Sequence, residues 1–479
     1  MNPLIKKLMP AVLGIAVLAL ASAHGQFIVN STGDAGRWPT WLPVCDTDWR
    51  TPDNQCTLRA AIQTANLYPD SNTIAFRIPT TDPGYDSQTG TYTISLQSAL
   101  PDISTDMDIT GPGADKLTVM RSRVSGTPRF RIFNVTTSGV ATFSGFTIAN
   151  GSLMDEGGAG IQNVNNGTVN ITNCMLTNNY CLDNDLSDDK FSAEGGAIFN
   201  AQSGTVNVTN STLKFNKANM GGGGISNVAG FINVSNSEFV GNTTNYGGGG
   251  GIGSEWLLGG EGVVSVSGST FYQNTAWDGG GIYHLFGTLT VTNSTFYANM
   301  VFGGGGGIYN AGTVNLSNCT VAANFSYQGS GVYNVNGKIA NVKSTIIALN
   351  YGGLFLNYST FQIGEAPDVF GAFNSNGFNL IGKTDGSTGF TATTDRKGTI
   401  AAPLNPRLDL RGLRNNGGPT QTVALQPGSP AVDKATRASL AGTLTTDQRG
   451  FPRTVNDPAI ANATGGDGTD IGAFELPAP

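Results

Sequence analysis

Charge and histidine are both scarce in this sequence. Only 12% of its 479 residues are charged, and its two histidines are His24 and His284. No arginine occurs between Arg131 and Arg396. A net charge of −7 without basic clusters argues against nucleic acid or anionic membranes as partners. The same scarcity weakens the case for a polysaccharide-cleaving enzyme, which needs clustered carboxylates and a basic residue.

Long apolar runs are also lacking, apart from one at residues 11–20 that is too short to span a bilayer comfortably. Two lysines precede this run and the small residues 21–23 follow it, as in a secretory signal peptide. We therefore expect residues 1–23 to be removed on export. The mature chain is then secreted, extracellular or at the cell surface, with no transmembrane segment.

Cysteine is sparse as well, with five residues. Export permits disulfides without requiring them. A bond between Cys45 and Cys56 is the preferred pairing, and Cys174–Cys181 is an alternative second bond. Cys319 is expected to be free, because it and Cys174 occupy the same position in repeats five units apart, which is beyond disulfide reach.

Glycine is abundant by contrast, with 67 residues, and glycine runs recur ahead of an aliphatic residue. Successive aliphatic positions are separated by 37, 27, 27, 30, 26 and 24 residues, which indicates a repeat architecture. A second segment follows each of them, as in TVNVTNSTLKFN, and alternates apolar and polar residues with the period of a β-strand. The aliphatic positions are Ile161, Ile198, Ile225, Ile252, Ile282, Ile308 and Val332.

One such unit cannot bury its own apolar face, whereas stacked units can. We therefore predict an all-β fold, a right-handed single-stranded parallel β-helix over residues 72–350, with regular repeats at 158–350. Each unit is expected to contain three strands, with Ile225 and its counterparts stacked inside and Val206 and Val208 pointing inward. Glycine runs and the lack of a 3.6-residue apolar stripe exclude a helical solenoid.

Two further segments flank the predicted β-helix. In the first, residues 24–71, apolar residues recur at helical spacing between Thr57 and Tyr68. This spacing predicts a short N-terminal helix that caps the open apolar end of the column and blocks edge pairing with another chain. The second is the C-terminal segment, residues 351–479.

Several motifs resemble those of bacterial secreted proteins. The segment CTLRAAIQTAN, from Cys56, resembles the CSLREA motif, from which it departs at Thr57 and Ala60. The GGAI and F-x-x-N repeats, the latter at Phe239–Asn242 and its counterparts, are similar to those of polymorphic outer membrane proteins. In the C-terminal segment, GFNLIG, NNGGPTQT, PGSPAVD, TDQRG and DIGAFE resemble the choice-of-anchor Q domain of bacterial surface proteins.

These resemblances cover most of the mature chain and imply an exported β-helix of the pectin-lyase-like kind. They do not imply a defined reaction, because that fold hosts lyases, hydrolases, adhesins and structural proteins alike. The function has to be argued from the site.

Exposed aromatic residues form the candidate ligand site. Tyr283, Tyr309 and Tyr333 follow the inward aliphatic residue in consecutive repeats, and Trp256 and Trp277 lie in neighbouring loops. Ring faces can stack on sugars, with the outward Ser, Thr and Asn of the strands as hydrogen-bonding partners. The alternative is that the tyrosines only stack on one another and that the outward hydroxyls and amides are an ordinary polar face.

Metal and catalytic signals are weak. We expect no cofactor and no metal; Ca²⁺ bound by Asp183 and the acids after it, or by GGDGTDIGA from Gly465, is the alternative. His284 stands where other repeats have Asn and is expected to be a turn residue, with a catalytic role as the alternative. No catalytic residue is assigned.

The function expected from these features is adhesion or binding at the cell surface, to carbohydrate or to another surface protein, without catalysis. A polysaccharide lyase or glycoside hydrolase on the same scaffold is the second hypothesis, and a structural envelope protein is the third. An outward cluster of carboxylates with a Lys or Arg would favour the enzyme, whereas exposed aromatics without charge favour binding.

Overall fold

The chain forms a parallel β-helix, in which equivalent strands of neighbouring coils pair in parallel and in register. The expected signal peptide, residues 1–23, lies outside the described residues. No described helix is long and apolar enough to cross a membrane. The computed structural model describes residues 25–51, 53–183, 193–255, 262–357, 360–364 and 366–477.

Each regular coil contributes four strands, where the sequence predicted three. In one coil these are Ile198–Asn200, Thr205–Thr209, Thr212–Lys214 and Lys217–Ala218. They belong to four sheets of 10, 12, 13 and 9 strands, which we number 1 to 4 in that order. The prediction of three strands was wrong because the fourth strand has only two residues in several coils, too few for an alternating pattern to show.

The strands of each sheet follow the chain from coil to coil. Sheet 1 contains Phe133–Val135, Ile161–Asn163, Ile198–Asn200, Ile225–Val228, Ile252–Glu255, Ile282–His284, Ile308–Asn310, Val332–Asn334, Val369–Ala372 and Ser387–Thr388. Sheet 2 contains Gln26–Val29, Asn72–Phe76, Met107–Thr110, Val140–Ser144, Thr168–Thr172, Thr205–Thr209, Phe231–Ser235, Val263–Ser267, Thr288–Thr292, Thr313–Ser317, Ile339–Lys343 and Asn374–Ser375. Sheet 3 contains Tyr85–Asp86, Thr91–Leu96, Leu117–Arg121, Thr147–Ala149, Met175–Thr177, Thr212–Lys214, Glu238–Val240, Thr270–Tyr272, Thr295–Tyr297, Thr320–Ala322, Ile346–Ala348, Leu380–Ile381 and Arg396–Lys397. Sheet 4 contains Ser152–Met154, Tyr180–Leu182, Lys217–Ala218, Thr243–Thr244, Thr275–Ala276, Met300–Val301, Phe325–Ser326, Tyr351–Asn357 and Thr360–Gly364, and a separate hairpin pairs Ala438–Ser439 with Gly442–Thr443.

Stacked apolar side chains fill the interior of the coils. The inward pair Val206 and Val208 is buried, as predicted. On sheet 3 the rings of Phe239, Phe271 and Phe296 stack with neighbouring centroids 4.7 Å apart. Four isoleucines of sheet 1 are also fully buried and aligned in register, which confirms the predicted stack: Ile225, Ile252, Ile282 and Ile308.

The asparagines of the F-x-x-N repeats form a buried ladder at the corner that follows sheet 3. The Nδ2 of Asn274 donates to Oδ1 of Asn299 and to the carbonyl of Phe239, both at 2.9 Å. Its Oδ1 accepts from the backbone N–H and from Nδ2 of Asn242, each at 3.0 Å. One side chain therefore satisfies buried polar groups of the coils on both sides of it. The ladder runs through Asn179, Asn216, Asn242, Asn274, Asn299, Asn324 and Asn350.

A short helix covers the first coil. This helix, α1, spans Leu58–Ala65, and the Thr57 hydroxyl caps it by accepting from the N–H of Ala60. Leu58 and Ile62 on its inner face are fully buried in the main core. The helix predicted from the spacing of apolar residues is therefore present, and its apolar face packs against the first coil.

The cysteines fall into two groups. Cys45 and Cys56 form a disulfide beside α1, with Cα atoms 5.1 Å apart. Cys174, Cys181 and Cys319 are free and buried, so the alternative Cys174–Cys181 bond is not formed. Burial raises the pKa of the Cys174 thiol to about 11 and that of Cys181 to about 12, which keeps both thiols protonated and unreactive.

The C-terminal segment first extends the coils, as far as Arg396–Lys397, and then folds back along the outside of sheet 3. The Thr420 hydroxyl donates to the carbonyl of Gly268 at 3.0 Å, and Nε2 of Gln448 donates to Oγ1 of Thr270 at 2.8 Å. A second apolar core lies between the returning segment and the sheet. It contains Ala322, Ile346, Ala348, Leu380, Leu408, Val423, Leu425, Ala431, Val432, Ala435, Ile471 and Phe474.

Buried charges lie within the TDQRG and DIGAFE motifs and at Arg453, three residues after the first of them. Arg449 pairs with Asp447 at 2.7 Å, and Arg453 pairs with Glu475 at 3.5 Å. Arg453 also donates to Oδ1 of Asn293, a coil residue, at 2.6 Å. The motifs of the C-terminal segment therefore hold that segment against the wall of the β-helix.

Candidate functional site

A cleft of about 510 Å³ opens at the corner between sheets 4 and 1, beside the glycine runs. Its wall carries the aromatic rings of Tyr246, Trp277 and Tyr283 and the carboxyl groups of Glu255 and Asp278. A wider depression of about 770 Å³ beside the disulfide has no carboxyl group in its lining. The combination of rings and acids makes the corner cleft the candidate site.

The three predicted tyrosines form a continuous ring stack on the outer face of sheet 1. The ring centroids of Tyr283, Tyr309 and Tyr333 are 5.1 Å apart from one to the next, and Phe370 extends the stack by a further 5.1 Å. Tyr283 lines the corner cleft, whereas Tyr309 and Tyr333 are not among its lining residues. Ring stacking along the sheet accounts for these two tyrosines.

Of the two predicted tryptophans, Trp277 lines the cleft beside Tyr283 and is 47% exposed. Its ring lies 5.8 Å from that of Phe302, centroid to centroid. Trp256 lies outside the described residues. The structure thus brings together Tyr283 and Trp277 from the predicted set.

Trp277 belongs to a second aromatic column that sequence reasoning missed. Tyr246 and Tyr327 of this column are more than half exposed, at 54% and 51%. The missed signal is an aromatic residue one or two positions before the first glycine in four repeats, NYGGGGG, AWDGGG, VFGGGGG and SYQGSG. In four consecutive coils these residues are Tyr246, Trp277, Phe302 and Tyr327.

Glycine makes room for the cleft. A Cβ on Gly248 would lie 2.2 Å from Cγ of Tyr283, and a Cβ on Gly221 would lie 2.3 Å from Oε1 of Glu255. Any other residue at these two positions would collide with the cleft side chains. The glycine runs therefore let backbone lie directly against the ring and the carboxyl group.

The two carboxyl groups of the cleft are held in environments that favour their neutral form. Burial raises the pKa of Glu255 to about 7 and also raises the pKa of Asp278 above its ordinary value. The N–H of Gly304 donates to Oδ1 of Asp278 at 2.6 Å and fixes that side chain. No lysine or arginine lines the described part of the cleft. Neither acid was predicted from the sequence to belong to the site.

His284 lies away from the cleft lining. The prediction of a turn residue was wrong: His284 ends the strand Ile282–His284, is fully buried, and pairs in register with Asn310 of the next coil, in the place of the usual Asn. Burial lowers the pKa of His284 to about 4, so the ring is neutral at physiological pH.

The two sequence candidates for Ca²⁺ have different outcomes. Most of the acidic insert after Asp183 lies outside the described residues. In the GGDGTDIGA segment, Asp467 lies 3.7 Å from Arg437 and Asp470 accepts from the N–H groups of Asp433 and Leu476. The described parts of the chain contain no group of three or more His, Cys, Asp or Glu side chains placed to hold a metal ion.

The outward polar face of sheet 2 lines a depression of about 480 Å³, and its amides pair with one another. Nδ2 of Asn207 donates to Oδ1 of Asn170 at 2.8 Å, and Asn233 donates in the same way to Asn207 at 2.9 Å. Amides that pair with one another from coil to coil have fewer groups left for a ligand. This pairing favours the interpretation of the face as an ordinary polar surface.

The chain matches no family model, no curated protein and no solved structure. Aromatic rings, glycine backbone and two carboxyl groups with raised pKa values meet in the corner cleft, which is therefore the basis for the functional proposal.

Proposed function

We propose that this protein is an exported β-helix protein that binds carbohydrate at the corner cleft, in adhesion or at the cell surface, without cleaving it. The observation that carries the proposal is the set of ring faces offered by Trp277, Tyr246 and Tyr283 around one cleft. The apolar face of such a ring can stack on the C–H face of a sugar. The carboxyl groups of Glu255 and Asp278 add hydrogen-bond partners for hydroxyls.

The charge of the cleft favours a neutral saccharide over an acidic one. Glu255 and Asp278 are its titratable acids, and the described lining contains no basic side chain to pair with a uronate. An anionic ligand would meet carboxyl groups and no basic side chain of the described lining, which disfavours binding. Aromatic residues recur in later coils, at the half-buried Phe302 and the exposed Tyr327, so a saccharide chain has further rings to follow.

Replacing Trp277 by alanine is expected to weaken saccharide binding about 5–30-fold, the equivalent of about 1–2 kcal/mol of lost ring stacking. The ligand is first identified on an array of neutral and acidic glycans, and its affinity is then measured by calorimetry. Trp49→Ala is the matched control, because Trp49 is 53% exposed in the N-terminal region, far along the chain from the cleft. Equal affinities of wild type and Trp277→Ala would contradict the assignment.

A polysaccharide lyase or glycoside hydrolase is the second candidate, and the carboxyl groups of Glu255 and Asp278 in the cleft favour it. The lack of a basic side chain in the described lining weakens the lyase in particular, because a lyase needs a Lys or Arg to abstract a proton. Incubating the protein with the array ligand separates the candidates. Accumulating reducing ends or unsaturated products would replace the binding proposal with the enzyme.

A further inference from the structure

The outward aromatic column of sheet 1 is interrupted at one place. Phe199, Ser226, Gly253 and Tyr283 are aligned in register on four successive coils. Two coils between the rings of Phe199 and Tyr283 therefore carry no ring. This gap in the ring stack is filled by glycine backbone beside the corner cleft, since a Cβ on Gly253 would lie 2.7 Å from the N of Gly222.

Two glutamates converge on this gap from different coils. Glu194 is 1% exposed, and its Oε2 accepts a hydrogen bond from Oγ of Ser226 at 2.7 Å. Its other oxygen, Oε1, is buried and has no hydrogen-bond partner in the described structure. Glu255 stands two coils further on, at the end of Ile252–Glu255, with its carboxyl group over Gly221.

The two carboxyl groups act on each other electrostatically. Burial, followed by the charge of Glu255, raises the pKa of Glu194 to about 8, and burial raises the pKa of Glu255 to about 7. Neither side chain has an ion pair with a lysine or arginine in the described residues. Tyr283 and Asp278 are the other titratable groups at this end of the cleft, and neither can supply positive charge. Ionising both glutamates therefore requires a cation from outside the chain.

We propose that Glu194 and Glu255, with the hydroxyl of Ser226, bind one Ca²⁺ ion at the inner end of the corner cleft, beside the gap in the aromatic column. Two carboxylates balance the charge of a divalent cation, and the unpartnered Oε1 of Glu194 is a free ligand atom. An all-oxygen set suits a hard cation, and Ca²⁺ tolerates irregular coordination better than Mg²⁺ does. Glu255 lines the corner cleft, which gives the ion a path from solvent. This inference stands whether or not the cleft binds carbohydrate.

The pH dependence of stability supplies the first test. The pKa values of about 8 and about 7 lie above the ordinary value of 4.5 for glutamate. The folded chain thus holds protons that the unfolded chain releases, so stability from this pair is present at acid pH and is lost as pH rises through about 7–8. Because Ca²⁺ replaces those protons, it is expected to raise Tm at pH 9 and to have little effect at pH 5.

The experiment compares full-length mature protein in EDTA and in about 5 mM CaCl₂, a concentration above the dissociation constants typical of extracellular sites. Tb³⁺ luminescence, sensitised by the nearby Tyr283 and Trp277 and displaced by Ca²⁺, reports binding directly. The double variant Glu194→Gln, Glu255→Gln keeps the shape of both side chains and is expected to lose the Tm rise and the Tb³⁺ signal.

Glu238→Gln is the matched control, because Glu238 is another carboxyl group whose pKa burial raises, on the outer face of sheet 3. This variant is expected to respond to Ca²⁺ as the wild type does. The proposal is overturned if wild type shows no Ca²⁺-dependent change at pH 9, which would mean that the glutamates only share a proton. It is overturned equally if the double variant keeps the full response. If saccharide binding fails while these results hold, the cation site stands alone.

Discussion

Replacing Arg453 by methionine is expected to lower the free energy of unfolding by about 3–5 kcal/mol. The Arg453 side chain is fully buried between Glu475, 3.5 Å away, and Oδ1 of Asn293, 2.6 Å away. Methionine fills similar volume but leaves the Glu475 carboxyl group buried without its cation. Breaking one partner of a buried pair costs far more than removing both.

The same substitution tests whether the C-terminal segment detaches before the coils unfold. Because Arg453 joins the C-terminal segment to the coils, limited proteolysis of Arg453→Met is expected to release that segment before the coils are cut. Arg411→Met is the control, because Arg411 pairs with Asp409 at 2.7 Å but its side chain is 72% exposed. Its effect should stay within about 1 kcal/mol. Denaturation midpoints of wild type and Arg453→Met that coincide would refute the locking role of the buried charges.

Asn274→Ala is expected to cost about 3 kcal/mol of unfolding free energy. The side chain makes four hydrogen bonds, to Asn242, Asn299 and the carbonyl of Phe239, and all of these groups are buried. Alanine leaves their donors and acceptors without partners at a site that water does not reach, and each such group costs about 1–3 kcal/mol before relaxation. Chemical denaturation followed by circular dichroism measures the change.

Asn233→Ala is the matched control for the buried ladder. Asn233 lies on the outer face of sheet 2 and donates to Oδ1 of Asn207 at 2.9 Å, but it is exposed. Water can replace that partner, so the expected cost is below about 1 kcal/mol. Similar losses of unfolding free energy in Asn274→Ala and Asn233→Ala would contradict the prediction that burial makes the hydrogen bonds of the ladder asparagine more stabilising.

The repeat period and the inward residues could be predicted because they depend on local alternation. Ile225 and Val206 each lie at a position whose neighbours repeat with the period of a strand. The fourth strand, as in Lys217–Ala218, could not be predicted, since two residues carry no period. It becomes a strand only because the coil above and the coil below place backbone on both sides of it.

The docking of the C-terminal segment on sheet 3 could not be predicted from the sequence either. Gln448 bonds to Thr270 and Arg453 to Asn293, across 178 and 160 residues of chain. Such contacts depend on how far the segment travels back along sheet 3, which no local pattern encodes. The motifs that resemble an anchoring domain marked the segment without indicating what it packs against.

The candidate site was predicted in part. Trp277 and Tyr283 were named from the sequence and line one cleft, while Tyr309 and Tyr333 stack beside it. The second aromatic column was missed because its rings differ in residue type and stand one or two positions before the glycines, so they form no fixed motif. That Glu194 and Glu255 lie close together follows only from the register of the coils, because 61 residues separate them in the sequence.

The most direct test of carbohydrate binding at the corner cleft is fluorine NMR of the mature protein labelled with 5-fluorotryptophan. The chain has five tryptophans, and single Trp→Phe variants assign their resonances. Titration with the neutral saccharide found on the array should shift the Trp277 resonance saturably, leave those of Trp38, Trp41 and Trp49 in place, and yield no cleavage product. A Trp277 resonance that stays unchanged while the saccharide binds, or products that accumulate during the titration, would contradict the proposed function.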